Sequence, residues 1–156
     1  MREFTLAIDP GKSGGLAWTT PAGPRCAAMP PTDDELVQLL HQILSAQQDE
    51  WRVIVERVGG YCGKGQPGSA MFTFGRGYGF ILGVLAGWGM EVELVTPQTW
   101  QKPLALGTVA QAGGKTLWKT RLKDRAQAIY PRHKVTLNTA DALLLLEWGV
   151  KNTQKH

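Results

Sequence analysis

Three acidic residues lie next to apolar stretches of this 156-residue sequence. Asp9 and Glu56 each end a short apolar run, and Asp141 comes directly before another. A buried carboxylate without a partner is costly, and no basic residue is patterned beside these three. Divalent cations such as Mg²⁺ or Mn²⁺ prefer oxygen ligands and would supply the missing partner. Two such ions can activate water and stabilise the leaving oxygen of a phosphodiester, which is the chemistry that this pattern indicates.

Each acid taken singly also has a plain structural interpretation. Asp9 opens an Asp-Pro-Gly turn, where aspartate is frequent, and Glu56 would then simply stand at a strand edge. The predicted strands favour a catalytic role for these acids, because functional residues gather at the carboxyl ends of strands in α/β sheets. Asp9 and Glu56 are both predicted at such ends.

The elements that position these acids are typical of an α/β fold around one mixed sheet, flanked by helices. Three leading strands form a meander, and two later strands follow through connections long enough for right-handed crossovers. The five predicted strands are Phe4–Asp9, Leu16–Thr19, a short one near Cys26–Met29, Val53–Glu56 and Glu91–Val95.

Helices are predicted between and after these strands from their capping and periodicity signals. One follows Thr32, one runs from a cap at Ser69 to about Trp88, and one starts at Thr96-Pro97 with proline first. Two more are expected at Lys115–Tyr130 and from about Thr139 to Val150, and the glycine-rich segments Arg57–Gly68 and Gly107–Gly114 are expected to be mobile connections.

The helix predicted after Ser69 is unusual because it contains many glycines. Each glycine in a helix costs roughly 1 kcal/mol against alanine. Such a sequence makes sense where another backbone approaches closely, as at a helix–helix or subunit contact. The glycines are Gly75, Gly77, Gly79, Gly83 and Gly87.

Composition and charge narrow the function classes. The length fits one domain, residues 1–156, and two cysteines support neither a disulfide framework nor a four-cysteine zinc site. No apolar run is judged long enough to cross a bilayer, no signal peptide precedes the first strand, and a cytoplasmic location is expected.

The charge is distributed unevenly along the chain. Residues 1–100 carry a net charge of −3 and residues 101–156 carry one of +7, which suits a protein that binds a polyanion. The alternative to nucleic-acid binding is that these basic side chains simply form the solvated face of a helix. They are Lys119, Arg121, Lys123 and Arg125.

Five segments, taken together and in order, resemble one family. They are the first strand and hairpin, the second acidic strand, the helix after the glycine-rich loop, the segment after the last strand, and the C-terminal acidic motif. In sequence these are Ala7–Gly11 with Gly14–Ala17, Val53–Glu56, Ser69–Gly83, Thr96–Lys102 and Asn138–Leu143. The set resembles the RuvC-type Holliday-junction resolvases, which are nucleases of the ribonuclease-H-like fold, and the resemblance covers most of the chain.

The resemblance implies a homodimer that binds four-way DNA junctions and nicks two opposed strands, a crossover junction endodeoxyribonuclease of DNA recombination and repair. Carried over by position, Asp9, Glu56 and Asp141 would be catalytic ligands of Mg²⁺ or Mn²⁺, with two ions per site and Asp9 bridging them. The family usually has a fourth acidic or histidine residue near the last acid, and this sequence has Asn138 there. An amide oxygen brings no negative charge, so Asn138 would hold an ion more weakly. Asn138 could also cap the final helix, with Asp141 at the third helical position. The implied host is a bacterial cell, and a phage-encoded protein would fit so compact a chain.

The DNA-handling residues depart from the family at one position. The aromatic residue that probes the junction centre is matched here by Gly59. Tyr61 is the nearest aromatic, and we favour a DNA contact or a surface role for it. Phe72 and Phe74 are assigned to core or dimer packing. Candidate phosphate contacts are Lys12, Lys64, Arg76, Lys102, Lys115 and Lys119.

Three other functions remain open at this stage. A phosphotransferase of the actin and sugar-kinase type also ends its first strand Asp-x-Gly, but normally needs two such domains. A related nuclease could act on flaps, other branched DNA or RNA. A junction-binding protein without catalysis would follow if Asn138 abolishes the metal chemistry. His133 is left outside the site, as a lone loop histidine.

Overall fold

A mixed sheet forms the centre of the computed structural model, which describes residues 3–59, 65 and 67–153. Its strands pair in the order β3-β2-β1-β4-β5, with the first three antiparallel and the β1–β4 and β4–β5 pairs parallel. The predicted α/β class, a three-strand meander followed by parallel strands, is confirmed. The strands are β1 (Phe4–Asp9), β2 (Gly15–Thr20), β3 (Gly23–Ala28), β4 (Trp51–Glu56) and β5 (Val92–Val95).

Helices cover both faces of this sheet. Three of them begin where the sequence predicted, and α5, which starts at Lys115, is one of these. The Oγ1 of Thr32 accepts a hydrogen bond from the backbone N–H of Glu35 at 3.2 Å, and Thr96 caps its helix with Pro97 at the first position. The helices are α1 (Asp33–Ser45), α2 (Gly68–Gly87), α3 (Pro97–Gln101), α4 (Val109–Ala112), α5 (Lys115–Ile129) and α6 (Leu137–Asn152), with a 3₁₀ turn at Lys102–Leu104.

The last helix starts earlier than predicted, which changes the place of Asn138. Thr136 is the cap: its Oγ1 accepts from the N–H of Thr139, and the Oγ1 of Thr139 accepts from the N–H of Thr136 at 3.1 Å. This reciprocal pair outcompetes a cap two residues later. The alternative role of Asn138 as the helix cap was therefore wrong, and Asp141 lies in the second turn of α6 rather than at its third position.

Two further local predictions were wrong. The connection Gly107–Gly114 contains α4, because Thr108 and Gln111 form a capping box around it. Helix α2 begins at Gly68 after Pro67 with no side-chain cap, so Ser69 lies inside the helix. Half of the segment Arg57–Gly68, which was predicted to be mobile, lies outside the described part of the chain.

The two faces of the sheet bury separate clusters, and strand alternation assigns each residue to one of them. On β1, Leu6 and Ile8 pack with α1 and α2, whereas Ala7 packs with α5 and α6. On β4, Val53 and Val55 join the first cluster and Ile54 the second. The residues that end these strands therefore point to the α5 and α6 side.

Helix α6 approaches the sheet closely because two glycines allow it. A Cβ on Gly149 would lie 2.5 Å from the Cδ1 of Ile54 on β4. A Cβ on Gly15 would lie 2.5 Å from the backbone carbonyl oxygen of Asn138. A larger residue at Gly15 would push the start of α6, and with it Asp141, away from the sheet, whereas at Gly149 the end of the Ile54 side chain could shift instead.

Helix α2 is long and apolar but contributes little to the core, where only Ile81 and Leu85 are buried. By length and composition it is the one described helix that could cross a bilayer, which corrects the prediction that no apolar run is long enough. The prediction considered only the apolar run around Phe80–Trp88, whereas the helix spans Gly68–Gly87. One such helix is weak evidence for a membrane span, since a helix that packs against another protein has the same composition.

Candidate active site

Asp9 and Glu56 lie side by side where two neighbouring strands end. β1 and β4 are parallel, and their last paired residues are Ile8 and Val55, so each acid is the next residue on its strand. By alternation both side chains emerge on the face covered by α5 and α6. Asp9 is buried, with 9% of its surface exposed, and Glu56 is partly buried.

Asp141 completes the cluster from α6. Only 4% of the surface of Asp141 is exposed, and its Oδ1 is buried with no hydrogen-bond partner among the described residues. Its Oδ2 accepts from the Nζ of Lys119 on α5 at 2.5 Å. The sequence expectation that no basic residue accompanies these acids was therefore wrong. Helix periodicity carries the missing signal, because Lys119, Leu122 and Ala126 share one face of α5 and the last two are buried in the core.

The carboxylates influence one another electrostatically. Burial raises the pKa of Asp9 well above its ordinary value, and the negative charges of Glu56 and Asp141 raise it further, while Lys119 opposes them. Burial also raises the pKa of Glu56 to about 7, with a hydrogen bond from Trp100 lowering it and Asp141 raising it. Burial alone would lower the pKa of Lys119, but the carboxylates around it, Asp141 first, raise the pKa overall. The three acids thus form one cluster that a single ammonium neutralises incompletely.

The donor chemistry of this cluster fits a hard divalent cation. It offers carboxylate oxygens only, and the unpartnered Oδ1 of Asp141 is an acceptor for which an ion would be a partner. Within the described residues, however, no three acidic, histidine or cysteine side chains already converge as closely as a preformed metal site would require. The metal prediction for Asp9, Glu56 and Asp141 therefore stays a prediction.

Asn138 lies beside the cluster through its backbone. It sits in the first turn of α6, and its carbonyl oxygen packs against Gly15, which pairs with Asp9 across the β1–β2 ladder. Its role as a fourth ligand stays a prediction.

The predicted DNA-contact residues fall into different surroundings. Lys12 is exposed in the turn after Asp9 and lines a groove of about 910 Å³ between that turn, α1 and α2. Arg76 borders the same groove and pairs with Asp33 at 2.5 Å. Lys102 and Lys115 are exposed, and Lys119 is engaged with Asp141. Tyr61 and Lys64 lie outside the described residues. These contacts with DNA all stay predictions.

The assignment of Phe72 is resolved in part. Its side chain is 75% exposed, so it does not pack in the core of this chain, and of the two predicted roles only the dimer contact remains. Phe74 is partly buried, and its ring lies 2.8 Å from where a Cβ on Gly11 would be, so it packs against the turn that follows Asp9.

Sequence reasoning missed three contacts made by long side chains. The indole N–H of Trp100 donates to the Oε2 of Glu56 at 2.8 Å. Arg121 donates to the backbone oxygen of Leu106 at 3.0 Å, and Arg125 donates to that of Leu104 at 2.9 Å. The two arginines thus fasten the connection before α4 to α5, so they are more than a solvated face. Arg125 is partly buried and Arg121 is exposed, and no sequence pattern marks either contact, so only the fold reveals them.

Comparison with known proteins identifies the fold through solved structures, but no match was found by sequence. No protein-family model matches the chain, and no curated protein matches it. Among solved structures it is similar to Thermus thermophilus RuvC in complex with a Holliday junction substrate, with 18% identity, a TM-score of 0.60, and coverage of 96% of this chain and 93% of that one. It is also similar to another Thermus thermophilus RuvC structure, with 18% identity, a TM-score of 0.58, and coverage of 94% and 93%. The chain therefore has the RuvC fold, of the ribonuclease-H-like type, as its sequence predicted.

Proposed function

We propose that this chain is a structure-selective endodeoxyribonuclease that resolves four-way DNA junctions by metal-dependent hydrolysis. The observation that carries the proposal is the placement of Asp9, Glu56 and Asp141 together on a fold shared over nearly the whole chain with RuvC. One of the RuvC structures holds a Holliday junction substrate. Two strand ends and one helix supply the acids, so the cluster depends on the tertiary fold and not on one local motif.

The acids would bind Mg²⁺ or Mn²⁺, two ions being expected, and the metal would supply an activated water and stabilisation of the leaving oxygen. The protein itself supplies Asp9 and Asp141 as buried oxygen donors, whose charged forms a bound cation would stabilise. Lys119 balances part of that charge on Asp141. Asn138 adds an oxygen donor without charge, so we expect the affinity for the ion to be lower than with a fourth acid.

The substrate would be held by phosphate contacts from the basic segment. Lys115 and Lys102 are exposed near the start of α5 and after α3. Phosphate contacts position DNA without reading its sequence, so binding by these residues would be salt-dependent and tolerant of sequence.

We propose that a second copy of the chain covers α2, which gives the homodimer that paired nicking of two strands needs. Gly75, Gly79, Gly83 and Gly87 recur every four residues, and a Cβ on any of them would meet no atom within 4 Å. Their cost in helix stability is offset only where another backbone packs closely. An isologous contact, in which the same α2 surface serves both partners, satisfies this with one surface. Phe72 is exposed in the first half of α2 and would contact the partner.

The test is cleavage of a labelled synthetic four-way junction with Mg²⁺, Mn²⁺ or EDTA, beside linear duplex and flap controls. We expect paired nicks in the junction, dependent on metal and lost in Asp9→Asn. Equal cutting of all substrates would favour a related nuclease of broader specificity. Absence of any junction preference in binding and in cutting would contradict the proposal.

A second candidate, a junction-binding protein without catalysis, is favoured by one observation. The position of the usual fourth ligand carries the neutral Asn138. Tight junction binding without cutting would identify this function, and Asn138→Asp would then be expected to restore metal-dependent nicking.

A further inference from the structure

The carboxylate of Glu56 is held by a side chain that the acidic cluster does not include. The indole N–H of Trp100 donates to the Oε2 of Glu56 at 2.8 Å. An indole has one donor and no acceptor, and it carries no charge. The contact therefore fixes the position of Glu56 without neutralising it, unlike the contact between Lys119 and Asp141.

Trp100 is itself rigidly placed. Its surface is 1% exposed, and it is the largest of the fully buried side chains, packed in the cluster that covers the α6 side of the sheet. It lies on the short helix α3, which starts directly after β5 with a Thr96 cap and Pro97 at its first position. β5 in turn pairs with β4 so that Val95 is opposite Glu56. The donor and the acceptor are thus fixed to adjacent strand ends.

A second tryptophan shows that burial alone does not dictate this contact. Trp51 lies at the other end of β4, and its indole N–H is buried without a partner among the described residues. The fold therefore accommodates a buried indole N–H that makes no hydrogen bond to another described residue. Trp100 differs in that its N–H reaches an acid of the candidate site.

We propose that Trp100 is a positioning residue whose indole N–H holds Glu56 in the orientation that binds the metal ion. The inference rests on the proposed function, because it assigns a task to Glu56. Hydrogen-bonded partners of metal ligands orient them, and their loss typically lowers metal affinity by about 10–100-fold.

The first test is the Trp100 indole resonance in a ¹H–¹⁵N spectrum of the metal-free protein. Glu56→Gln replaces the carboxylate acceptor by a neutral one, so we expect a marked upfield shift of that proton. Asp34→Asn, an exposed acid on α1, is the control and should leave it in place. A Trp100 resonance that is insensitive to Glu56→Gln would overturn the proposal, and this reading needs neither metal nor activity.

The second test is Mn²⁺ binding without DNA, measured by calorimetry. Trp100→Phe keeps an aromatic ring and removes the N–H, and Trp51→Phe is the matched control because its indole makes no such bond. We expect about a 10-fold loss of affinity in Trp100→Phe only. Equal losses of Mn²⁺ affinity in both variants would show that Trp100 acts only through packing.

The two tests separate the inference from the proposed function. If the wild-type protein binds no Mn²⁺ and cuts no junction, the nuclease proposal and the metal task of Trp100 both fail. If the wild-type protein binds Mn²⁺ and cuts the junction but Trp100→Phe and Trp51→Phe behave alike, the nuclease proposal stands and Trp100 as a positioning residue fails. Should Trp100→Phe not fold, the response of the Trp100 resonance to Glu56→Gln decides the matter.

Discussion

Glu56 is placed so that the stability of the metal-free protein should depend on pH. Its pKa in the fold is about 7 and its ordinary value is 4.5, mainly because the carboxylate is buried. Between these values the folded chain binds more protons than the unfolded one, so stability falls as pH rises. Burial of Asp9 acts in the same direction.

We therefore predict that Glu56→Gln is more stable than the wild-type protein at pH 8 and similar to it at pH 4, in EDTA. The gain at pH 8 should be about 1–3 kcal/mol, because each pKa unit corresponds to about 1.4 kcal/mol at most. Denaturant unfolding across this pH range measures it, with the exposed Asp124→Asn as the control. Parallel curves for Glu56→Gln and the wild-type protein would contradict the prediction.

The candidate acids could be chosen from the sequence, but their partners could not. Asp9, Glu56 and Asp141 stand out because each adjoins an apolar run, and the fold does place them together. Lys119 was assigned to DNA on its charge alone, and its contact with Asp141 depends on how α5 packs on α6. Trp100 reaches Glu56 across 44 residues of chain, a contact that no local pattern encodes.

At the scale of elements, strands and strongly capped helices were predictable because their signals are local. β1 was predicted with its observed bounds, and Thr32 and Thr96 cap the helices they were expected to cap. Asn138 misled because the reciprocal contacts of Thr136 and Thr139 start α6 earlier. The exposure of α2 was not predictable, since the sequence shows its apolar residues but not what covers them.

The exposed glycines of α2 give a prediction for the dimer. Gly79→Leu places a side chain in the middle of the stripe of small residues, so it should convert the proposed dimer into a monomer. Gly77→Leu is the matched control, since it lies off the four-residue stripe and its Cβ would also meet no atom within 4 Å. Both changes raise helix propensity by similar amounts, so the folded monomer should not be destabilised. Analytical ultracentrifugation measures the state; a wild-type monomer, or dimers in both variants, would exclude this interface.

At the scale of the whole molecule, some of the basic side chains of residues 101–156 bind backbone oxygens within the chain and others, as we propose, bind DNA. The sequence alone does not tell which residue does which. Arg121 and Arg125 are occupied with backbone oxygens of the segment before α4. Lys115 is exposed at the start of α5. The surface that we propose for DNA binding would therefore depend more on lysines than the net charge of +7 suggests.

Two substitutions with the same change of charge separate these uses. Lys115→Gln should weaken junction binding and lower the slope of log affinity against log salt by about 1, because one phosphate contact and its released counterion are lost. Arg121→Gln should change that slope less but lower the unfolding midpoint, because it removes donors from the oxygens of Leu106 and Gln111. Salt titrations of junction binding and thermal unfolding of the two variants give both quantities. If Arg121→Gln lowers the slope as much as Lys115→Gln and leaves stability unchanged, then Arg121 faces the DNA, and its backbone contacts give way when the junction binds.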